Sequence, residues 1–224
     1  MYILAAIITA VAAIMAAIIG ITPKLFESGS GSNNLATATP ITISKYDDPS
    51  DILSIEYPSG YSVIARELTS DKLVVAFCSQ SRQEGGIVVA AGIEKNKIVD
   101  DSQIYDEMVK SIINNESPLF KSLMFADNID TVNTVLMSSE KKENGFLAHV
   151  QALINVESEA QKRIYEIYIF SQTKGVAFNS KNTTYGVVLY MIDHDLIEAY
   201  RGLIERTFSS FTFSPLKIDE AFNQ

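Results

Sequence analysis

The residues of this 224-residue chain that could do chemistry are few: two histidines, one cysteine and several carboxylate clusters. Asp193-His194-Asp195 is the densest polar group next to an apolar run. As a metal site it would need side chains aimed at one centre, whereas neighbours at a strand end alternate in direction. As a helix start it needs only one carboxylate accepting backbone N–H groups, with the other acid favourable to the helix dipole. The helix-cap reading is the simpler one. His149 is the only other histidine, so a two-histidine metal site would require the fold to bring His149 and His194 together. Asp47, Asp48 and Asp51 crowd before a strand-like run, and Asp100-Asp101 precede a helical one. Such clusters can hold Ca²⁺ through oxygen ligands, but neither has the spacing of an EF-hand loop, and both read as solvated loop charge. Cys78 lies alone in an apolar run, which excludes an intrachain disulfide and reads as a buried structural thiol. No phosphate-cradling glycine loop is present, and the only Gly-x-Ser-x-Gly-like stretch, Ser28 to Ser32, falls in a polar tether. These residues predict no catalytic, cofactor-binding or metal-ligating set, and hence a non-enzymatic protein. Asn115-Glu116-Ser117 and Asn182-Thr183-Thr184 are N-glycosylation acceptor patterns, which makes Asn115 and Asn182 candidate modification sites of an exported domain.

The stretch that would place this chain in a cell is Tyr2 to Ile21, twenty uncharged residues including seven isoleucines and seven alanines. At about 1.5 Å per residue it makes a helix roughly 30 Å long, the thickness of a bilayer's hydrocarbon core. No basic residue precedes it and its only small-residue cleavage pattern, Ala10-Val11-Ala12, falls in its middle, so a retained anchor is favoured over a cleaved signal peptide. A pilin-type core helix, packed in a filament, is the alternative. Ala12, Ala16 and Gly20 recur at four-residue spacing, a pattern that lets helix backbones approach closely in lipid. The formal charge of −9 lies wholly beyond this segment. It disfavours nucleic acid and anionic headgroups as partners and suits a domain that faces solvent.

Domain organisation follows: a transmembrane anchor over residues 1–26, a flexible linker over 27–42, a folded domain over 43–214 and a loose polar tail over 215–224. Within the domain, Ile52 to Tyr57 reads as a strand that turns at Pro58-Ser59-Gly60 and returns over Tyr61 to Glu67. Lys72 to Cys78 and Gly86 to Glu94 are apolar at every central position, which predicts strands covered on both faces. Asp101 or Ser102 starts an amphipathic helix that Asn114-Asn115 ends, with Ile104, Tyr105, Met108, Val109, Ile112 and Ile113 on one stripe. Strands are predicted over Asp130 to Ser138, Gly145 to Val156, Arg163 to Ser171 and Tyr185 to Ile192, with a hairpin loop at Lys141 to Gly145. A last helix, Asp195 to Ser209, buries Leu196, Ile197, Tyr200, Leu203, Ile204, Thr207 and Phe208, with Gly202 expected at a close approach to the sheet. Phe211 and Phe213 follow as a short extended segment. The pattern is α+β: a transmembrane helix, then a sandwich of about eight mainly antiparallel strands and two main helices.

This order resembles the PsbP-like family. The resemblance rests on the hairpin Ile52-Leu53-Ser54-Ile55-Glu56-Tyr57-Pro58-Ser59-Gly60-Tyr61, on the helix over Ser102 to Ile113, and on Tyr185 to Met191 followed by a helix into Phe208-Ser209-Ser210-Phe211. It spans roughly Ile43 to Phe213 and departs from the family pattern at Tyr61, where a tryptophan is usual. It implies a PsbP-like α/β sandwich of the membrane-anchored, archaeal type, mostly non-enzymatic and commonly outside the cytoplasm. Plant and cyanobacterial members assist photosystem II and help retain calcium, and that role does not transfer to anchored archaeal relatives. The expectation is therefore a single-pass membrane protein whose extracytoplasmic domain is an accessory or assembly subunit of a membrane protein complex. It would touch the bilayer through its N-terminal helix, bind no cofactor and no nucleic acid, and meet its partners through Ala12, Ala16 and Gly20 of the anchor and through strand or loop surfaces of the domain. The alternatives are self-association as a pilin-like filament subunit and a stand-alone ligand- or Ca²⁺-binding module.

Overall fold

Strands that are apolar at consecutive positions cannot leave either face in water, and three of them sit at the centre of this fold. A computed structural model of the chain describes residues 41–79, 84–104, 106, 110, 129–156, 162–175 and 181–222. The expected anchor, with Ala12, Ala16 and Gly20, the linker up to residue 40, and Asn115 lie outside them. Among the described residues no helix is long and apolar enough to cross a membrane.

Among the described residues, ten strands form two sheets. The large one has seven antiparallel strands in the order β3-β4-β5-β9-β8-β7-β6: β3 (Tyr61–Leu68), β4 (Lys72–Ser79), β5 (Gly85–Glu94), β9 (Thr183–Asp193), β8 (Lys162–Gly175), β7 (Gly145–Val156) and β6 (Ile129–Lys142). The small one has the order β1-β2-β10, from β1 (Ile43–Asp47), β2 (Leu53–Pro58) and β10 (Thr212–Phe213). β4, β5 and most of β9 are buried at consecutive positions, as their composition predicts. One face of the large sheet, including Val74, Val88, Ala148, Val150, Ile167 and Leu189, gathers with Val99 and Ile104 into one core. The opposite face, including Val75, Phe77, Val89, Val188 and Tyr190, packs against the small sheet and the C-terminal helices in a second core. These are α1 (Ile197–Ser210), entered through a 3₁₀ turn at His194–Leu196, and α2 (Pro215–Phe222).

The expected hairpin of Ile52 to Glu67 does not exist as a paired unit. β2 pairs with β1 and β10, whereas β3 pairs with β4 in the other sheet. Pro58-Ser59-Gly60 carries the chain from one layer to the next, and β2 lays Ile52, Leu53 and Ile55 on the large sheet rather than beside β3. In the carboxylate cluster before β2, Asp47 and Asp51 are exposed as expected, but Asp48 is not solvated charge. The Asp48 side chain is fully buried and receives Arg66 Nε at 2.8 Å, the Ser50 amide at 2.8 Å and Tyr46 Oη at 3.3 Å, so it ties the small sheet to β3.

Three further expectations change. The first helix is capped by Asp100, not Asp101 or Ser102. Asp100 Oδ1 accepts from the Gln103 amide at 2.9 Å and Gln103 Oε1 accepts from the Asp100 amide at 3.2 Å, a reciprocal box. Gly202 faces open space, and the close approach is made by Gly186 on β9. A Cβ there would stand 2.5 Å from Phe213 Cδ1 and 2.7 Å from Phe211 Cε1, so a bare backbone lets those two rings seal the sheet. The stretch after Pro215 is not a loose tail but α2, because Ile218 and Phe222 recur one turn apart and enter the second core.

α2 is thereby an integral part of the domain. Ile218→Ala is expected to lower unfolding free energy by about 2–5 kcal/mol, the cost of emptying a fully buried aliphatic site. Leu216→Ala, at a position 65 % exposed, should cost under about 0.5 kcal/mol. Urea midpoints of the two variants check this, and equal midpoints would show α2 undocked.

Candidate functional site

On the second face of the large sheet, paired positions form rows that run from the central strands outward. Val188, Phe170, Leu147 and Glu140 make one row, Tyr190, Tyr168, His149 and Ser138 the next, and Ile192, Glu166, Gln151 and Val135 a third. α1 lies over the inner end of these rows, where Tyr200, Ile204 and Phe208 join the core. It stops short of the outer strands. The space left is a groove of about 530 Å³. Its floor is Leu147, Tyr168, Phe170 and Gln172, and one wall is α1 through Ile197, Arg201, Ile204, Glu205, Phe208 and Ser209. The other wall is the β6–β7 hairpin through Glu140, Lys142, Glu143 and Asn144. The exposed apolar surface continues along the outer strands, with Val135 52 % and Ile164 37 % accessible.

At the end of the groove the third row holds a carboxylate where apolar residues would be expected. Glu166 is buried, and its cost is met by three donors. His149 Nε2 lies 2.6 Å from Oε2, while His194 Nδ1 at 2.5 Å and Gln151 Nε2 at 3.0 Å reach Oε1. Alternation on β7 puts His149 and Gln151 on the same face as Glu166. His194 arrives because β9 ends at Asp193, opposite Tyr165, and the chain turns back over the sheet. Asp193 caps that turn by accepting the Asp195 amide at 2.9 Å, which is the role predicted for the Asp193-His194-Asp195 cluster. The His149 ring stacks on Tyr168 with centroids 4.4 Å apart and planes 4° from parallel, so the cluster abuts the groove floor.

The electrostatics follow from this geometry. Burial pushes the Glu166 carboxyl up, but the hydrogen bonds from Gln151, His194 and His149 outweigh it and hold it below the usual carboxylate value. His194 is held above the ordinary imidazole value, first by its bond to Glu166 and then by the charges of Glu166, Asp195 and Asp193. Burial, and next the Glu166 charge, raise the Tyr168 phenol. An ionised carboxylate only accepts, so the two ring nitrogens facing it carry protons. The fold thus does bring His149 and His194 together, but onto separate oxygens of one carboxylate. Among the described residues no three His, Cys, Asp or Glu side chains are disposed to hold one metal ion, and no hydroxyl or thiol bonds to either ring. What this arrangement can do is hold a proton and pin a turn.

Other predicted residues sit apart from the groove. Cys78 is buried, with its thiol 3.8 Å from the Gly85 carbonyl. Asn182 is half-buried and its Oδ1 accepts from the Asn96 amide at 2.9 Å. Glu166 was the residue that the sequence reading passed over. Its signal was a lone carboxylate inside the apolar run Ile164-Tyr165-Glu166-Ile167-Tyr168-Ile169-Phe170, which a solvent-facing strand would not need.

No protein-family model matches the chain, and no curated protein matches it. Among solved structures, the chain is similar to cyanobacterial PsbP (CyanoP) from Synechocystis, at a TM-score of 0.44 and 12% identity over 81% of this chain and 98% of that one. It is also similar to the Saccharomyces cerevisiae Ran-binding protein Mog1p, at a TM-score of 0.40 and 8% identity over 81% of this chain and 98% of that one. A likeness at this level concerns the course of the chain and brings no function with it.

The Glu166 cluster predicts a pH window. His194 binds its proton more tightly in the folded state, so its contribution is complete below about 6.5 and is lost as pH rises through its raised folded value. Glu166 contributes fully above about 4.5 and loses its contribution as pH falls through its lowered folded value. The stability difference between wild type and Glu166→Gln should therefore peak between about pH 4.5 and 6.5 and shrink on both sides. Thermal melts across pH 3.5–9, as an order-of-magnitude range about those values, check it, and NMR titration of His194 should show its midpoint falling in Glu166→Gln.

Proposed function

We propose that the domain is a non-enzymatic protein-interaction module that receives a segment of a partner protein in the groove between α1 and the β6–β7 hairpin. The observation that carries this reading is the half-exposed apolar pair Leu147 and Tyr168, backed by the buried Phe170, on the floor of a cavity of about 530 Å³ beside α1. Concave apolar sites with a charged rim are where folded domains gain most from a partner. Interface centres are enriched in aromatic residues and depleted of charge, and this floor has that character while its walls do not.

The setting we infer is a membrane. The uncharged run from Tyr2 to Ile21 has the length of a bilayer span, and residues 27–40 are small and polar enough to act as a tether. On this reading the protein is a single-pass membrane protein and the domain is an extracytoplasmic accessory or assembly subunit of a membrane complex. Ala12, Ala16 and Gly20 would pack its helix against a partner helix.

Leu147→Arg places a charge on the groove floor, at a half-buried position that packs against the edge of the second core. It should reduce recovery of co-migrating subunits from native membranes in mild detergent by at least about tenfold, the ~1.4 kcal/mol that one central apolar contact carries. Its melting temperature should fall by about 2–4 °C for each kcal/mol of that packing lost, so recovery is compared at a temperature where wild type and variant are both folded. Unchanged recovery would show that the groove is not where the partner sits.

A further inference from the structure

The walls of the groove carry a charge pattern that its floor does not explain. Lys142 Nζ is committed to Glu140 at 2.5 Å, and Arg201 Nη2 donates to Glu198 at 2.5 Å. Both cations near the groove are thus already opposed. Glu143, at the tip of the β6–β7 hairpin, and Glu205, on α1, line opposite walls; neither makes an ion pair within 4.0 Å among the described residues, though Glu205 shares the charge of Arg201 one turn away. Both side chains are exposed to solvent. A carboxylate on each bank of an apolar trough favours a ligand that is apolar in the middle and cationic on both sides. It disfavours an acidic one, because like charges brought together across an interface cost free energy.

We infer that the groove takes an apolar partner segment flanked by Lys or Arg side chains, the apolar ridge seating on Leu147, Tyr168 and Phe170 and the cations meeting Glu143 and Glu205. This rests on the docking reading above and adds the chemistry of the partner. The negative charge of the whole chain works in the same direction at longer range by steering cationic segments inward. An amphipathic helix laid in a groove presents such flanks naturally, since its apolar stripe is bordered by polar positions three and four residues away.

The test uses the full chain in phosphatidylcholine nanodiscs, with empty discs as the blank. Two dye-labelled helical peptides share one leucine ridge, one bearing lysines and the other glutamates at the flanking positions, and fluorescence anisotropy reads their affinities. The lysine peptide should bind at least about tenfold more tightly, a difference of ~1.4 kcal/mol. The preference should fall to within about threefold in Glu143→Gln/Glu205→Gln and should weaken in high salt. Asp51→Asn/Asp106→Asn, which removes the same charge away from the groove, should leave it unchanged, and Leu147→Arg should abolish binding of both peptides. If both peptides bind wild type equally and Leu147→Arg abolishes both, the groove stands and the cationic preference is overturned. If lysine-peptide binding survives Leu147→Arg, or falls as far in the remote variant, attraction is general and both the preference and the groove reading fail. Binding of neither peptide, or a concentration-dependent dimer that Leu147→Arg dissolves, would overturn the inference in favour of another occupant.

Discussion

The double-sided burial of β4, β5 and β9 is the constraint from which the remaining structure follows. Each presents apolar side chains to both faces of the sheet, so the chain must supply a cover on each side before that surface leaves water. Val99 and Ile104 join the core on one face. On the other, the small sheet, α1 and α2 form a second layer that neither the β1–β2 pair nor a helix could provide alone. Gly186 marks how tightly that layer is drawn in, because the Phe211 and Phe213 rings occupy the place of its missing side chain. Asp48 performs the same joining in polar form. It is a carboxylate removed from water whose bonds to Arg66, the Ser50 amide and Tyr46 replace its hydration and fix the small sheet on β3.

The groove is the outer limit of that cover. A fourteen-residue helix spans about 21 Å along its axis, and α1 directs its buried side chains at the central strands. β7 extends beyond its reach, and there the continuous burial seen in the central strands gives way to alternation between a buried face and a half-exposed one. Leu147 and Tyr168 lie where the two regimes meet, half-exposed beside Phe170, which Phe208 of α1 covers. A chain under selection for solubility alone would have placed polar side chains at Leu147, Val135 and Ile164, as it did at Ser138 in the neighbouring row.

Much of this was legible in the sequence because it depends on periodicity. The strands over Gly145 to Val156 and Tyr185 to Ile192 are seen where their patterns put them, and the face of α1 formed by Tyr200, Ile204, Thr207 and Phe208 is the one its spacing selects. What periodicity cannot carry is pairing. Pro58-Ser59-Gly60 looks alike whether it closes a hairpin or passes the chain between layers, and only the burial of Ile52 and Ile55 against distant strands distinguishes them. α2 was missed because eight residues offer only two apolar positions on one face, too few to outweigh the surrounding polarity. Of the candidate site, the Asp193 cap was local and readable. The groove was not, since it is built from residues as far apart as Glu140 and Ser209, and the meeting of His149 and His194 on Glu166 depends on the registers of β7, β8 and β9.

Those registers also say what Glu166 contributes. A buried charge with its partners seldom stabilises a fold more than an apolar side chain of the same volume would. Its effect here is positional. An apolar residue at 166 would pack equally well against several placements of the turn after β9, whereas a carboxylate with two oxygens and three donors accepts one. That turn is the entry to α1, and α1 is a wall of the groove. On the other side, the same carboxylate holds His149 against Tyr168 on the groove floor. The wall and the floor thus meet at a single side chain, whose hydrogen bonds add a fixed geometry to the apolar contacts that Tyr200, Ile204 and Phe208 make beneath α1.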